Sequence, residues 1–95
     1  RVGEMEKGVV LKVGDSFTFT TESCKGSATH AYMTYQNFPK DVNAGEHILV
    51  DDGKLLFEVV ATDRKTAVET KVLRGGPLTS KKGVNLPNTN ISSSF

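Results

Sequence analysis

Apolar and polar residues alternate along this chain in short stretches, and turn-forming residues cut off each stretch. Leu55, Phe57 and Val59 share one face of such a stretch, while Leu56, Glu58 and Val60 share the other. In Thr66–Leu73, Val68 and Val72 point inward and Glu69 and Lys71 outward. A period of two belongs to strands, because successive side chains leave a strand on opposite faces. Nowhere do apolar residues recur at helical spacing over three turns, so the chain is read as strands and turns.

The order of these stretches predicts an architecture. Val9, Leu11 and Val13 alternate with Val10 and Lys12, Gly14-Asp15 punctuates, and Phe17 and Phe19 alternate with Ser16, Thr18 and Thr20; this predicts a hairpin. Residues 21–29 read as a polar loop. Ala31 to Asn37 reads as a strand, broken by Phe38-Pro39-Lys40-Asp41. His47–Val50 is an apolar strand, Asp51-Asp52-Gly53-Lys54 a turn, Leu55–Ala61 a strand, and Thr62-Asp63-Arg64-Lys65 another turn. Gly75-Gly76-Pro77 ends the next strand, and Val84-Asn85-Leu86-Pro87 forms a last short one before the polar tail from Asn88 to Phe95. The expected fold is all-β, a small closed β-barrel, because closure removes the exposed edges that many short strands would otherwise leave.

Composition narrows the functions. The 95 residues suit one domain. Lys and Arg number 12 against 11 Asp and Glu, a formal charge of +1, which weighs against a protein that neutralises many phosphates of nucleic acid. A single cysteine, Cys24, rules out an internal disulfide and a cysteine-based zinc cluster, and a reduced, cytoplasmic setting is expected. No apolar run approaches the roughly 20 residues of a membrane-spanning helix, and no signal peptide is visible. The chain starts at Arg1 without an initiator methionine and reads as a piece of a longer protein.

Few residues carry chemical promise. Val50-Asp51-Asp52-Gly53 is a tight-turn sequence, and it also presents carboxylates at a strand tip, within reach of a metal or its waters. Ser80-Lys81-Lys82-Gly83 reads either as a solvated loop or as a phosphate contact, since lysine is a mobile point charge and glycine lets a backbone approach closely. The spacing is not that of a P-loop. His30 and His47 lack metal-ligand spacing, and Cys24 has no nucleophile signature around it.

Three stretches taken together are more specific: Arg1-Val2-Gly3, then Ile48-Leu49-Val50-Asp51-Asp52-Gly53, then Lys81-Lys82-Gly83-Val84-Asn85-Leu86-Pro87. In this order and separation they closely resemble the B domain of pyruvate kinase, a small β-barrel inserted into a (β/α)8 barrel. Tyr35-Gln36-Asn37-Phe38 and Gly14–Thr20 also look like segments of that family. The resemblance covers Arg1 to Pro87 and implies a lid domain over 1–87, with 88–95 starting the return to the catalytic barrel. It implies a mobile lid that closes during phosphoryl transfer from phosphoenolpyruvate to ADP, giving pyruvate and ATP. Lys82 matches the family's ATP-contacting lysine and Arg1 an arginine that reaches the phosphates on closure. Asp52 matches the second Asp of the turn, facing the nucleotide–metal site and reaching a metal through water. The family's catalytic lysine, its Mg2+ (or Mn2+) carboxylates and its K+ ligands lie outside such a domain, so no catalytic residue is expected in this chain. The implied partners are ADP or ATP, phosphoenolpyruvate and the catalytic barrel of the same chain, in a homotetrameric, cytoplasmic parent with no nucleic acid or membrane partner.

In an extended segment Lys81 and Lys82 point to opposite faces, and by the family match Lys82 takes the cleft. Two other readings stand beside this one. A free-standing OB-like barrel could bind single-stranded nucleic acid by stacking on Tyr32 and Tyr35. An interaction module without a ligand would leave Lys82 and Arg1 without a task.

Overall fold

The structure is a computed structural model in which residues 2–86 are described. Its elements are β1 (Val10–Leu11), β2 (Ser16–Thr20), β3 (His30–Tyr32), α1 (Phe38–Asp41), β4 (His47–Val50), β5 (Leu55–Thr62), β6 (Ala67–Arg74), β7 (Gly76–Pro77) and β8 (Val84–Asn85). Six strands form one sheet in the order β3-β2-β6-β5-β4-β8. All its neighbours are antiparallel except β2 and β3, which run parallel with Phe19 opposite Ala31.

The sheet has two edges, β3 and β8, and the segment 2–5 closes the gap between them. On one side Gly3 N donates to Tyr32 O at 2.7 Å, and Val2 forms an antiparallel bridge with Met33. On the other side Val2 N donates to Lys82 O at 3.0 Å and Lys81 N donates to Gly3 O at 3.0 Å, just ahead of β8. Backbone hydrogen bonds therefore run around the ring, through β3 on one side and through the residues just ahead of β8 on the other. The expected all-β barrel is present, with an irregular segment as its closing piece.

Alternation decides what the ring encloses. Phe17, Phe19, Ile48, Val50, Leu55, Phe57, Val59, Val68 and Val72 are all buried, every second residue of β2, β4, β5 and β6. Phe19 sits at the centre, with ring centroids 5.1 Å from Phe17, 5.8 Å from Phe38 and 5.0 Å from Phe57, mostly edge to face. Thr70 alone among the buried core positions is polar, and its hydroxyl donates to Phe17 O at 2.6 Å.

Three details differ from the expected elements. The hairpin between residues 9–13 and β2 does not form. Gly14 N donates to Val72 O and Val72 N to Asp15 O, which commits β2 to β6, while β1 pairs with β7 as Leu11 opposite Gly76. Glycine permits this, since a Cβ on Gly75 would lie 2.3 Å from Leu11 O. Val9 and Leu11 are buried, while Val13, which alternates in step with them, is 70% exposed. The strand expected over 31–37 is limited to His30–Tyr32, and Phe38-Pro39 opens a short helix instead of merely breaking the chain. Proline fits there because the first helical N–H has no partner to lose. Tyr35 donates its hydroxyl to the Asp41 carboxylate, and Arg64 donates to Lys40 O, Val42 O and Asn43 Oδ1, which ties α1 to the β5–β6 turn. Pro87 and the tail 88–95, including the expected return segment, lie outside the described residues.

Candidate functional site

The turn after β4 bends through three successive left-handed residues, Asp51 (φ 58°), Asp52 (φ 56°) and Gly53 (φ 88°). Asp tolerates this region better than most residues and Gly adopts it freely, which is why Asp-Asp-Gly stands here. Lys54 N donates to Asp51 O at 3.1 Å, and the Arg74 guanidinium donates to Gly53 O at 2.8 Å, so the turn is braced from within and from β6.

The same turn is fastened to the segment that carries the two lysines. Pairing of β4 with β8 sets Val50 opposite Val84, and just beyond it Asp51 N donates to Gly83 O at 3.0 Å. Lys82 Nζ then lies 3.7 Å from Asp51 Oδ1, with side-chain exposures of 38% and 22%. One end of β4 and β8 thus presents an ammonium beside a carboxylate, both half in water. Val2, the residue after Arg1, is bonded to the Lys82 carbonyl, so the chain's first described residue reaches this same corner.

The sequence-derived residues are distributed as follows. Lys82 is at the centre of the cluster. Asp52 is exposed in the turn and lines a shallow groove with Leu49, Gly53, Gly83, Val84 and Asn85. Arg1 lies outside the described residues. The carboxylate placed against Lys82 is Asp51, whereas the family match had singled out its neighbour Asp52; the β4–β8 register was the missing information.

Lys81 corrects the expectation of an extended segment. Its φ is 60°, in a turn, so its side chain leaves Lys82 by a reversal of the backbone and not by strand alternation. The exposed Lys81 lines a cavity with Lys25 and Tyr32 that neither Lys82 nor Asp51 lines.

The other candidates resolve into structural roles. His30 Nδ1 lies 3.1 Å from Ser27 Oγ and 3.3 Å from Thr29 Oγ1, within the loop before β3. Tyr35 is buried and bonded to Asp41, which removes one of the two rings that a nucleic-acid surface would have stacked on. Among the described residues no group of three or more His, Cys, Asp or Glu could hold a metal ion, and no helix is long and apolar enough to cross a membrane. The turn's two carboxylates fit at most an outer contact to a metal held elsewhere.

Fold and site define a small β-barrel domain that presents one lysine–carboxylate pair at its end. A family model described as "Pyruvate kinase, barrel domain" matches residues 1–94. The pyruvate kinase of Thermotoga maritima is 40% identical over 93 residues, covering 97% of this chain and 20% of that protein. That of Haemophilus influenzae is 39% identical over 88 residues, covering 90% and 18%. Among solved structures, a pyruvate kinase from Cryptosporidium parvum superimposes with a TM-score of 0.92 at 29% identity, covering 98% of this chain and 19% of that one. The chain belongs to the pyruvate kinase family and spans about a fifth of the length of these relatives.

Proposed function

We propose that this chain is the mobile lid of a pyruvate kinase, closing over the active site while phosphoenolpyruvate transfers its phosphoryl group to ADP. Residues 1–87 form the lid in this reading, and 88–95 lead back to the catalytic barrel. The observation that carries it is the corner where Lys82, Asp51 and Val2 meet, since this places a lysine, a turn carboxylate and the chain entry at one end of the barrel.

Phosphoryl transfer needs positioning and neutralisation of charge more than it needs covalent chemistry from the protein. A lid suits that need. It brings the Lys82 ammonium, and Arg1 beside it in sequence, onto the phosphates, and it excludes water from the cleft. Asp52 faces the nucleotide side of the turn. Mg2+ or Mn2+ and K+, held mainly by residues outside this chain, would supply positive charge against the phosphates. The barrel's backbone ring keeps Lys82 in register, so closure moves it as part of a rigid body. The isolated chain lacks the reacting centre and makes no ATP.

Amide hydrogen exchange on the full-length protein tests this reading. Adding ADP, Mg2+ and phosphoenolpyruvate together should slow exchange in residues 51–54 and 82–83 and leave the β5–β6 turn at 63–66 unchanged. Equal exchange in both regions, with and without ligands, would remove the lid reading.

A further inference from the structure

A second concavity, of about 660 Å³, is lined by neither Lys82 nor Asp51. Its wall includes Glu4, Cys24, Lys25, Tyr32, Thr34 and Lys81. Three of its sides are each tied by backbone hydrogen bonds to the closing segment. Gly3 N donates to Tyr32 O, Lys81 N donates to Gly3 O, and Gly26 exchanges bonds with that segment by donating to Glu4 O and accepting from Glu6 N. A cavity held in this way exists before any ligand arrives, which lowers the ordering cost of binding.

Two residues are shaped to it. Tyr32 packs its ring directly over Gly3, where a Cβ would lie 2.5 Å from Tyr32 Cδ2, so only glycine at position 3 lets the ring lie there as a flat wall. Lys81 holds a left-handed backbone that a non-glycine residue adopts at a cost of about 1 kcal/mol or more. That conformation separates it from Lys82 and puts it on this wall. Lys25 stands on the same wall, and against these two ammonium groups the wall sets one carboxylate, Glu4. The lining residues are therefore net positive, and they include Ser23, Thr34 and the aromatic Tyr32.

We propose that this cavity binds a small organic anion that carries a flat ring, its phosphate or carboxylate taken by Lys25 and Lys81 and its ring lying on Tyr32. The site is separate from the nucleotide role proposed for Lys82, and its test does not depend on that role.

Cys24 lines the cavity and reports on it. The full-length protein is treated with iodoacetamide at increasing phenyl phosphate, and Cys24 modification is followed by peptide mass spectrometry. Phenyl phosphate should slow Cys24 alkylation saturably, and inorganic phosphate should do so only at much higher concentration. Lys25→Met and Lys81→Met should each raise the half-protecting concentration about tenfold, as loss of a charged contact does. Glu4→Gln should lower it, and Lys82→Ala should leave it unchanged. The proposal is overturned if phenyl phosphate gives no saturable protection. Protection that survives both methionine substitutions, or that disappears with Lys82→Ala, overturns it equally.

Discussion

Lys82 Nζ stands 3.7 Å from Asp51 Oδ1, and the pair is joined a second time through the backbone, where Asp51 N donates to Gly83 O. A half-exposed ion pair of this length stabilises a fold by only about 0–1 kcal/mol. It nevertheless fixes where the ammonium waits. In the proposed lid, a phosphate group, which carries more charge than one carboxylate, would take Lys82 from Asp51 at little cost. The backbone bonds on either side, Val2 N to Lys82 O and Asp51 N to Gly83 O, involve no side chain and would be left intact by that exchange.

The turn that holds Asp51 depends on backbone conformation. Gly53 has φ 88°, and a Cβ there would meet nothing within 4 Å, so the strain of a larger residue comes from the backbone alone. Gly53→Val should destabilise the fold by about 1–3 kcal/mol. Urea unfolding of both forms of the isolated chain measures it, and an unchanged midpoint would mean that the turn relaxes into another conformation.

Acid should weaken the opposite turn. The Asp63 carboxylate accepts from the amides of Ala67 (3.0 Å), Lys65 (2.8 Å) and Thr66 (2.9 Å), which hold its pKa at about 2, below the ordinary 3.8. A pKa lowered by folding means that the carboxylate's contribution is complete above 3.8 and lost as pH falls through about 2. Thermal unfolding between these limits should show Tm dropping with pH in the wild type and dropping less in Asp63→Asn. Parallel curves would show that the drop comes from other carboxylates.

Phe19 packs against three other rings at the centre of the ring-shaped core. Phe19→Ala should cost about 3–5 kcal/mol, because the cavity left behind is walled by rigid rings that collapse poorly. Chemical denaturation of the isolated chain checks this, and a loss under 1 kcal/mol would place the core elsewhere.

Much of this fold was legible because burial follows a period of two. Phe17, Phe19, Leu55, Phe57, Val59, Val68 and Val72 all lie on the side that alternation assigned to them. Turn chemistry marked 51–54 and 62–65 for the same reason, since Asp-Gly and Asp-Arg-Lys leave few backbone options. Partner choice was not legible. Alternation tells which face of a strand is buried but not which strand lies beside it, so β1 was assigned to β2, whereas Gly75 makes room for it at β7. The same gap hid Asp51. Pattern alone does not separate the two turn carboxylates, the family match singled out Asp52, and only the register of Val50 against Val84 sets Asp51 beside Lys82. Lys81 was misread because its left-handed backbone carries no glycine to announce it.

The most direct measurement concerns Lys82 in the full-length protein. Lys82→Ala is compared with Lys65→Ala, an exposed lysine at the far end of β5, in turnover of phosphoenolpyruvate and ADP. A charged contact made in a closed, drier site is worth about 2–4 kcal/mol, so Lys82→Ala should slow kcat/KM for ADP by roughly 30- to 1000-fold. In the proposed lid the contact completes on closure, so kcat should fall along with the rise in KM. Lys65→Ala should stay within about threefold of the wild type. Equal, small effects of the two substitutions would contradict the account, since Lys82 would then have no phosphate to hold.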